Sequence, residues 1–319
     1  MPERVTRKER EFQDNSMRKN LIVILGPTAS GKTTLAVRLA ADLQGEIISA
    51  DSRQVYRGMD IGTGKDLSEF WIDGGIVPYY LIDIIEPEQE FNLFEFQKRF
   101  YEIFNKLKEK QKLPVLVGGT GLYLESVLTD YALPQALPDE RLREEFAGKS
   151  QAELQDILLA ITPHLHNKTD LEDRDRLIRK IEIEKARQNP SGEQQQRPCI
   201  HAGIFGIHWE RSVLRQRIAD RLKQRMADGM IEEVSRLHSL GLSWERLDSF
   251  GLEYRYIARY LQNAITKDEM TSTLQIAIGQ FAKRQMTWFR RMEKKGVRIA
   301  WVPGGDYAAL RRRVLEILP

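Results

Sequence analysis

Eight residues near the start of the chain have the spacing of a phosphate-binding loop. Residues 26–33 read GPTASGKT, which matches the pattern GxxxxGK[ST] between an apolar stretch and a helix-like stretch. In such a loop, backbone N–H groups and the helix N-terminus surround phosphate oxygens, while Lys32 adds positive charge. Thr33 carries a hydroxyl that can ligate Mg²⁺. The predicted phosphate ligands are therefore Gly26, Pro27, Thr28, Ala29, Ser30, Gly31, Lys32 and Thr33.

The loop alone leaves the reaction open, because kinases, NTPases and enzymes whose leaving group is diphosphate all use it. A P-loop kinase or another ATP-binding, nucleotide-binding protein would also place a carboxylate near the loop to hold Mg²⁺. The strand predicted at Pro114–Val117 is followed by no carboxylate, whereas Asp83 follows apolar Leu81 and Ile82. Asp83 therefore keeps an NTPase hypothesis open.

Polar side chains follow the predicted strand EIISA. Asp51, Ser52, Arg53 and Gln54 come next in the chain, and ligands of open α/β sheets bind at the carboxyl ends of strands. Asp51 is a candidate general base. A helix cap or a Mg²⁺ ligand remains an alternative role for this carboxylate.

The stretch LPVLV runs into Gly118, Gly119, Thr120 and Gly121. Glycines at that position let the backbone approach a ligand closely, and the Thr120 hydroxyl can donate or accept a hydrogen bond. A simple glycine turn is the alternative interpretation of this stretch.

The elements around these residues predict an α/β fold in which a P-loop parallel sheet is covered by helices. Strands are expected at LIVIL, EIISA, YYLIDII, LPVLV and HAGIFGIHW, and Phe94–Gln111 is expected to form an amphipathic crossover helix. Strand patterns vanish after residue 133 and resume at residue 199, which predicts a helical insertion domain. We expect a disordered tail at 1–20, a catalytic core at 21–133 and 199–319, and the insertion at 134–198.

Composition excludes several classes of protein. The 319 residues include 41% hydrophobic and 30% charged side chains, which is ordinary for a globular chain. The single cysteine, Cys199, excludes intramolecular disulfides and cysteine-built zinc sites, and it fits a reducing, cytoplasmic location. No apolar run approaches the length needed to span a bilayer.

The net charge of +3 means that a nucleic-acid surface must come from local clusters of cations. Arg211–Arg225 contains six basic residues and one acidic residue, and Lys283–Arg298 contains seven and one. Within the second cluster, Arg284, Trp288 and Arg291 fall on one helical face. Phosphate contacts and a solvated helix face both remain possible for these clusters.

Six strings occur in order along the chain: GPTASGKT, DSRQVYRGMDIGTGK, LPVLVGGTGLY, DRLIRKIE, GLEYRYI and AKRQMTWFRR. Together they closely resemble the tRNA dimethylallyltransferases, also called tRNA isopentenyltransferases. The likeness covers about residues 20–302. It implies that dimethylallyl diphosphate donates its dimethylallyl group to N6 of the adenosine immediately 3′ of the tRNA anticodon, with Mg²⁺ as cofactor and diphosphate as the second product. The expected partners are the tRNA anticodon stem-loop and the donor, with a cytoplasmic monomer and no membrane contact.

Carried over residue by residue, the resemblance assigns roles to individual side chains. The donor diphosphate is expected on residues 26–33 and Arg255, and the catalytic residues are expected to be Asp51, Thr120 and Lys32. The string GLEYR stands where GYR is commoner and places acidic Glu253 near Arg255. The predicted tRNA contacts are Asp51, Ser52, Arg53, Gln54, Thr120, Arg141, Asp175, Arg176, Leu177, Ile178 and Arg179.

Three alternatives remain. An isopentenyltransferase that acts on free adenosine phosphates would not need the helical insertion or the basic C-terminal helices. A P-loop kinase or NTPase would require a nucleoside triphosphate and a role for Asp83. A pure RNA-binding module would leave the phosphate loop without a function.

Overall fold

The protein is described here by a computed structural model that covers residues 19–129, 139–162, 174–188 and 197–318. These residues form two compact units. Among the described residues, 19–129 and 198–318 belong to the larger unit, and 139–162, 174–188 and residue 197 belong to the smaller unit. The tail expected at 1–20 lies outside the described residues except for Lys19 and Asn20.

A six-stranded parallel sheet forms the centre of the larger unit, with the strand order β5-β2-β6-β1-β7-β8. All five residues of β1 are fully buried, as expected for a strand covered on both faces. A separate antiparallel hairpin, β3-β4, precedes β5. The strands are β1 Leu21–Leu25, β2 Glu46–Ala50, β3 Trp71–Ile72, β4 Gly75–Ile76, β5 Tyr79–Tyr80, β6 Pro114–Gly118, β7 Ala202–His208 and β8 Ala300–Pro303.

Helices cover both faces of this sheet, and the predicted α/β P-loop class is confirmed. The crossover helix α2 buries Phe96, Phe100 and Phe104 at helical spacing, and its N-cap Asn92 accepts a hydrogen bond from the Glu95 amide. The helices of the larger unit are α1 Lys32–Asp42, α2 Leu93–Glu109, α3 Gly121–Leu128, α7 Arg211–Ala227, α8 Met230–Ser239, α9 Trp244–Ser249, α10 Leu252–Leu261, α11 Lys267–Lys294 and α12 Tyr307–Leu315.

The smaller unit is helical in its described part. Its helices pack through an apolar core of their own, and α5 begins with a capping box in which Ser150 and Glu153 bond each other's backbone amides. The helices are α4 Glu140–Phe146, α5 Gln151–Ile161 and α6 Arg174–Gln188.

The strand predicted at YYLIDII is wrong beyond its first two residues. Only Tyr79–Tyr80 pairs with β2, and the chain then turns because Leu81 and Asp83 adopt left-handed backbone conformations with φ of 63° and 54°. Non-glycine residues rarely take this conformation, and an apolar stretch gives no sign of it. The chain at Asp83 therefore leaves the sheet rather than extending it.

A buried carboxylate holds the loop after β2 in place. Glu233 on α8 accepts hydrogen bonds from the backbone amides of Asp60, Ile61 and Gly62 at 2.8 to 3.0 Å, and from the Tyr254 hydroxyl at 2.7 Å. Glu233 is only 6% exposed, so this carboxylate is a largely buried acceptor. The loop continues into Thr63 and Gly64.

We expect Glu233→Ala to lower the free energy of unfolding by about 3 kcal/mol, because four donors, two of them in buried hydrogen bonds, lose their acceptor. Chemical denaturation followed by circular dichroism measures this change. Exposed Glu232 on the same helix is the matched control, and Glu232→Ala is expected to cost less than about 1 kcal/mol. Equal losses for both variants would contradict the account of this loop.

Among the described residues, no helix is both long enough and apolar enough to cross a membrane.

Candidate active site

Two adjacent cavities lie in the larger unit. The first is lined by the phosphate loop, by the loop after β2 and by charged side chains of α7. The second is more apolar and is lined by the loop after β6, by α9 and α10, and by α11. The residues that line both cavities are Asp51, Arg53, Phe281 and Gln285.

The phosphate loop has the conformation that its sequence predicts. Helix α1 begins at Lys32, directly after Gly31 in the left-handed conformation with φ of 77°. A side chain at that backbone angle would be strained, which explains glycine there. Ala29 is also left-handed, with φ of 61°. Residues 28–34 line the first cavity, whereas Gly26 and Pro27 do not, and the Pro27 carbonyl accepts the Ser30 amide at 3.2 Å.

Three side chains from distant parts of the chain fix this loop. The Trp209 indole donates to the Ser30 carbonyl at 2.9 Å, and the Arg217 guanidinium donates to the Ala29 carbonyl at 2.8 Å. The Thr28 amide donates to Gln285 Oε1 at 2.8 Å, while Gln285 Nε2 donates to the Gly119 carbonyl at 2.9 Å. Gln285 therefore ties the phosphate loop and the glycine loop after β6 to the same helix.

Lys32 and three arginines of α7 line the first cavity together: Arg217, Arg221 and Arg225. Sequence reasoning assigned the arginines only to a general basic cluster, although their spacing of four residues puts them on one helical face. Burial lowers the pKa of Lys32 to about 8 and the pKa of Arg225 to about 10, and Arg221 contributes to both shifts by like-charge repulsion. A polyanionic ligand would relieve this repulsion.

Gly64 makes room for two of these guanidinium groups. Its φ is +68°, and a Cβ atom there would lie 1.6 Å from Arg225 Nη2 and 2.3 Å from Arg221 Nη2. The loop held by Glu233 therefore contacts the arginines that line the cavity.

Asp51 lies at the carboxyl end of β2 and faces both cavities. Its Oδ1 accepts the Arg53 amide at 3.0 Å, and among the described residues Oδ2 has no hydrogen-bond partner. Thr120 lies in the second cavity, where its hydroxyl oxygen accepts the Ser52 amide at 3.2 Å and its hydrogen remains able to donate. The structure thus brings Asp51, Ser52 and Thr120 together.

Arg53 and Gln54, the next two predicted tRNA contacts, lie in different surroundings. Arg53 faces both cavities and forms an ion pair with Glu253 at 3.1 Å. Gln54 lines only the first cavity. Its side-chain oxygen accepts a hydrogen bond from the Ser49 hydroxyl at 3.3 Å, and its side-chain nitrogen donates to the Gly64 carbonyl at 3.2 Å. Both ends of the Gln54 amide therefore have partners within the protein, on the side of the first cavity.

Arg255 is not brought to the first cavity. It lies on α10, its Nε donates to Asp248 Oδ2 at 2.9 Å, and it lines neither cavity. Glu253, two residues earlier, lines the cavity instead. The contacts of Arg255 therefore do not bring it to the phosphate loop, whereas Arg217, Arg221 and Arg225 line the first cavity.

Asp83 does not serve the phosphate loop either. Its carboxylate pairs with Lys65, whose ammonium group is fully buried and also contacts Asp60 Oδ1 at 2.8 Å and the Tyr56 carbonyl at 2.8 Å. Asp83 lines neither cavity. A buried lysine needs such partners, so the role of Asp83 is structural. This removes the residue on which the NTPase hypothesis depended.

One face of α11 forms a wall of the second cavity through Phe281, Gln285 and Trp288, spaced four and three residues apart. Arg291 lies over the Trp288 indole, with its guanidinium carbon 3.9 Å from the ring centroid. The Trp288 ring also packs on Gly121, where a Cβ atom would lie 2.4 Å from the indole. Part of the predicted alignment of Arg284, Trp288 and Arg291 therefore serves packing, because Trp288 contacts both Gly121 and Arg291.

Within the smaller unit, the predicted tRNA contacts differ in exposure. The side chains of Leu177 and Ile178 are buried in the core of that unit and hold its helices together. Arg179 pairs with Glu182 at 2.7 Å, whereas Arg141 is exposed. The side chains of Asp175 and Arg176 lie outside the described residues.

The first cavity fits Mg²⁺ held together with a phosphate ligand. Thr33 lines it with the carboxylates of Asp66, Glu69 and Asp220. Among the described residues no three potential metal-ligating side chains form a cluster. Mg²⁺ characteristically takes one or two protein oxygens and completes its shell with phosphate oxygens and water, so this donor set is compatible with the ion.

Comparison with known proteins gives consistent matches. Residues 54–292 match the family described as IPP transferase, and residues 19–77 match the family described as isopentenyl transferase. The tRNA dimethylallyltransferase 1 of Syntrophus aciditrophicus is 54% identical over 299 residues, which cover 93% of this chain and 98% of that protein. The tRNA dimethylallyltransferase 2 of Trichlorobacter lovleyi is 52% identical over 298 residues, covering 93% and 96%. A crystal structure of the tRNA isopentenylpyrophosphate transferase from Bacillus halodurans is 32% identical with a TM-score of 0.67, covering 94% and 96%.

Proposed function

Because the chain belongs to the IPP transferase family, we propose that it transfers the dimethylallyl group of dimethylallyl diphosphate to N6 of the adenosine immediately 3′ of the tRNA anticodon. The N6–carbon bond forms as the carbon–oxygen bond to diphosphate breaks, and the N6 proton passes to the protein. The observation that carries the proposal is the shared wall of the two cavities, with Asp51 between a donor cavity lined by the phosphate loop and charged side chains and a more apolar acceptor cavity.

The first cavity would hold the donor's diphosphate. Lys32, Arg217, Arg221 and Arg225 supply charge, and the amides of the phosphate loop after Thr28 supply donors. These groups stabilise the negative charge that grows on the departing diphosphate. Mg²⁺ bound through Thr33 would add to this stabilisation when present.

Asp51 would accept the N6 proton. An exocyclic amine is a weak nucleophile, so removing its proton as the new bond forms lowers the barrier. Oδ1 of Asp51 is held by the Arg53 amide, which leaves Oδ2 to face the acceptor. The Thr120 hydroxyl, fixed by the Ser52 amide, would orient the amine or the bridging oxygen of the donor.

The second cavity would hold the adenine. It is lined by the aromatic side chains of Tyr56, Phe250 and Trp288 and by two cationic side chains, Arg246 and Arg284. A base can enter such a cavity only after it leaves its stack, which an unpaired anticodon loop permits at low cost. We therefore place the adenosine there, beside Asp51.

A labelled-donor assay with competing acceptors tests the proposed function. Dimethylallyl diphosphate labelled in its prenyl group is incubated with Mg²⁺ and either total tRNA or adenosine monophosphate. We expect label in tRNA and none in the free nucleotide. Transfer to adenosine monophosphate with none to tRNA would contradict the proposal and would favour an enzyme acting on free adenosine phosphates.

The donor's KM is expected to rise as the pH passes about 8. Lys32 has a pKa of about 8 because burial disfavours its charged form, so the ammonium group that binds diphosphate is present below that pH and is lost above it. Lys32→Met should show a higher KM without this rise between pH 7 and 9. Steady-state kinetics across that range measure both. A parallel rise in the two proteins would assign the titration to another group.

Arg141 is proposed as a phosphate contact of the smaller unit. We expect Arg141→Glu to weaken tRNA binding and to reduce the slope of log affinity against log salt by about one, because a phosphate contact releases counterions. Exposed Arg312 on α12 gives the matched control Arg312→Glu, which should leave the slope unchanged. An unchanged slope in Arg141→Glu would indicate that Arg141 lies on a solvated helix face and contacts no tRNA phosphate.

A further inference from the structure

The wall shared by the two cavities has one apolar member. Asp51, Arg53 and Gln285 are charged or polar, so Phe281 is the only apolar residue among the four that line both cavities. In a direct displacement the acceptor nitrogen approaches the donor carbon that carries the leaving group. The reacting carbon must therefore lie beside this wall, within reach of Phe281.

Other large apolar side chains of the donor cavity offer little surface. Phe70, Ile82 and Val117 are exposed by only 2%, 6% and 4%, because they belong to the core beneath the cavity. Phe281 is half-buried and is not part of such a core. Its ring therefore presents apolar area to whatever occupies the shared wall.

Neighbouring contacts hold the position of Phe281. Gln285, one turn later on α11, hydrogen-bonds the Thr28 amide and the Gly119 carbonyl. The guanidinium carbons of Arg53 and Arg284 lie 5.2 and 5.8 Å from the Phe281 ring centroid, within the range of cation–π attraction. The ring is thus placed by a helix that is itself bonded to both catalytic loops.

We propose that Phe281 binds the prenyl carbons of the donor and thereby determines which chain length is accepted. This inference rests on the proposed prenyl transfer. A prenyl group leaving water at the shared wall would otherwise meet mostly charged groups, and the phenyl ring supplies the apolar contact that favours its burial. A longer chain would collide with the same ring, so the residue selects against it.

Phe281→Ala and Phe281→Leu are compared with the unmodified protein, using dimethylallyl and geranyl diphosphate as donors. We expect Phe281→Ala to lower kcat/KM for dimethylallyl diphosphate about ten- to a hundredfold, mainly through KM, and to raise the relative use of geranyl diphosphate. Phe281→Leu keeps an apolar side chain and should stay within about tenfold of the unmodified protein. Inhibition by inorganic diphosphate should be unchanged in both variants, since that ligand lacks prenyl carbons.

Ile276→Ala is the matched control, because Ile276 is apolar, lies on the same helix and is 62% exposed. It should leave both donors' kinetics unchanged. If Phe281→Ala weakens inhibition by diphosphate as much as it raises the donor's KM, Phe281 positions Arg53 and the proposal is overturned. Unchanged donor selectivity in an active Phe281→Ala protein also overturns it. Absence of transfer by the unmodified protein overturns the proposed function as well.

Discussion

Asp51→Asn is expected to lower the single-turnover rate of dimethylallyl transfer by about 10² to 10⁴, the usual effect of a positioned general base. The substitution keeps the shape of the side chain, and the amide oxygen can still accept the Arg53 amide. It removes only the capacity to take the N6 proton. The affinities for tRNA and for the donor should therefore change little, and rapid-quench kinetics beside equilibrium binding measure all three quantities.

Two comparisons make this result specific. Exposed Asp73 lines neither cavity, so Asp73→Asn should leave the rate unchanged. If Asp51 instead ligates Mg²⁺, donor affinity should fall in Asp51→Asn and added Mg²⁺ should partly restore the rate. A near-normal rate in Asp51→Asn would remove the general-base assignment.

Lys32→Ala is expected to lower the rate of transfer by about 10² to 10³, in the range seen when one preorganised donor to a developing anion is removed. Lys32 begins α1 and lies in the cavity with three arginines, where charge on the departing diphosphate must be stabilised. The rate should fall more than donor affinity does, because the charge on the leaving oxygen is greatest in the transition state. Single-turnover rates at saturating donor measure the effect.

Lys98→Ala, on the exposed face of α2, is the matched control and should be as active as the unmodified protein. ATP hydrolysis is measured with the same proteins and is expected to be negligible, since Asp83 is engaged by Lys65. Rapid ATP hydrolysis that needs no tRNA and disappears in Lys32→Ala would contradict the prenyl-transfer account and favour an NTPase.

Much of the sheet and the phosphate loop could be predicted because their signals are local. Five apolar residues followed by GxxxxGK[ST] specify a strand, a loop and a helix start within about a dozen positions, and the structure has β1, the loop and α1 there. The strand at Tyr79–Tyr80 was predicted too long, because the left-handed conformations of Leu81 and Asp83 depend on tertiary contacts such as the pairing of Asp83 with Lys65.

The cavities depend on contacts between residues far apart in the sequence. Gln285 lies 257 residues from Thr28 and 166 from Gly119, and no local pattern indicates that it bonds both. The spacing of Arg217, Arg221 and Arg225 predicts that they share one face of a helix. What that face contacts depends on how α7 packs on the loop at Gly64. Family resemblance placed Asp51 and Thr120 on the acceptor side, and the structure sets both beside the apolar cavity.

The most direct test uses an anticodon stem-loop in two versions, with adenosine or guanosine immediately 3′ of the anticodon. The unmodified protein is mixed in excess with Mg²⁺ and labelled dimethylallyl diphosphate, and incorporated label and released diphosphate are counted in one turnover. We expect one diphosphate per dimethylallyl group incorporated with the adenosine stem-loop, and neither product with the guanosine stem-loop. Equal transfer to both stem-loops, or diphosphate release without transfer to the adenosine version, would contradict the account.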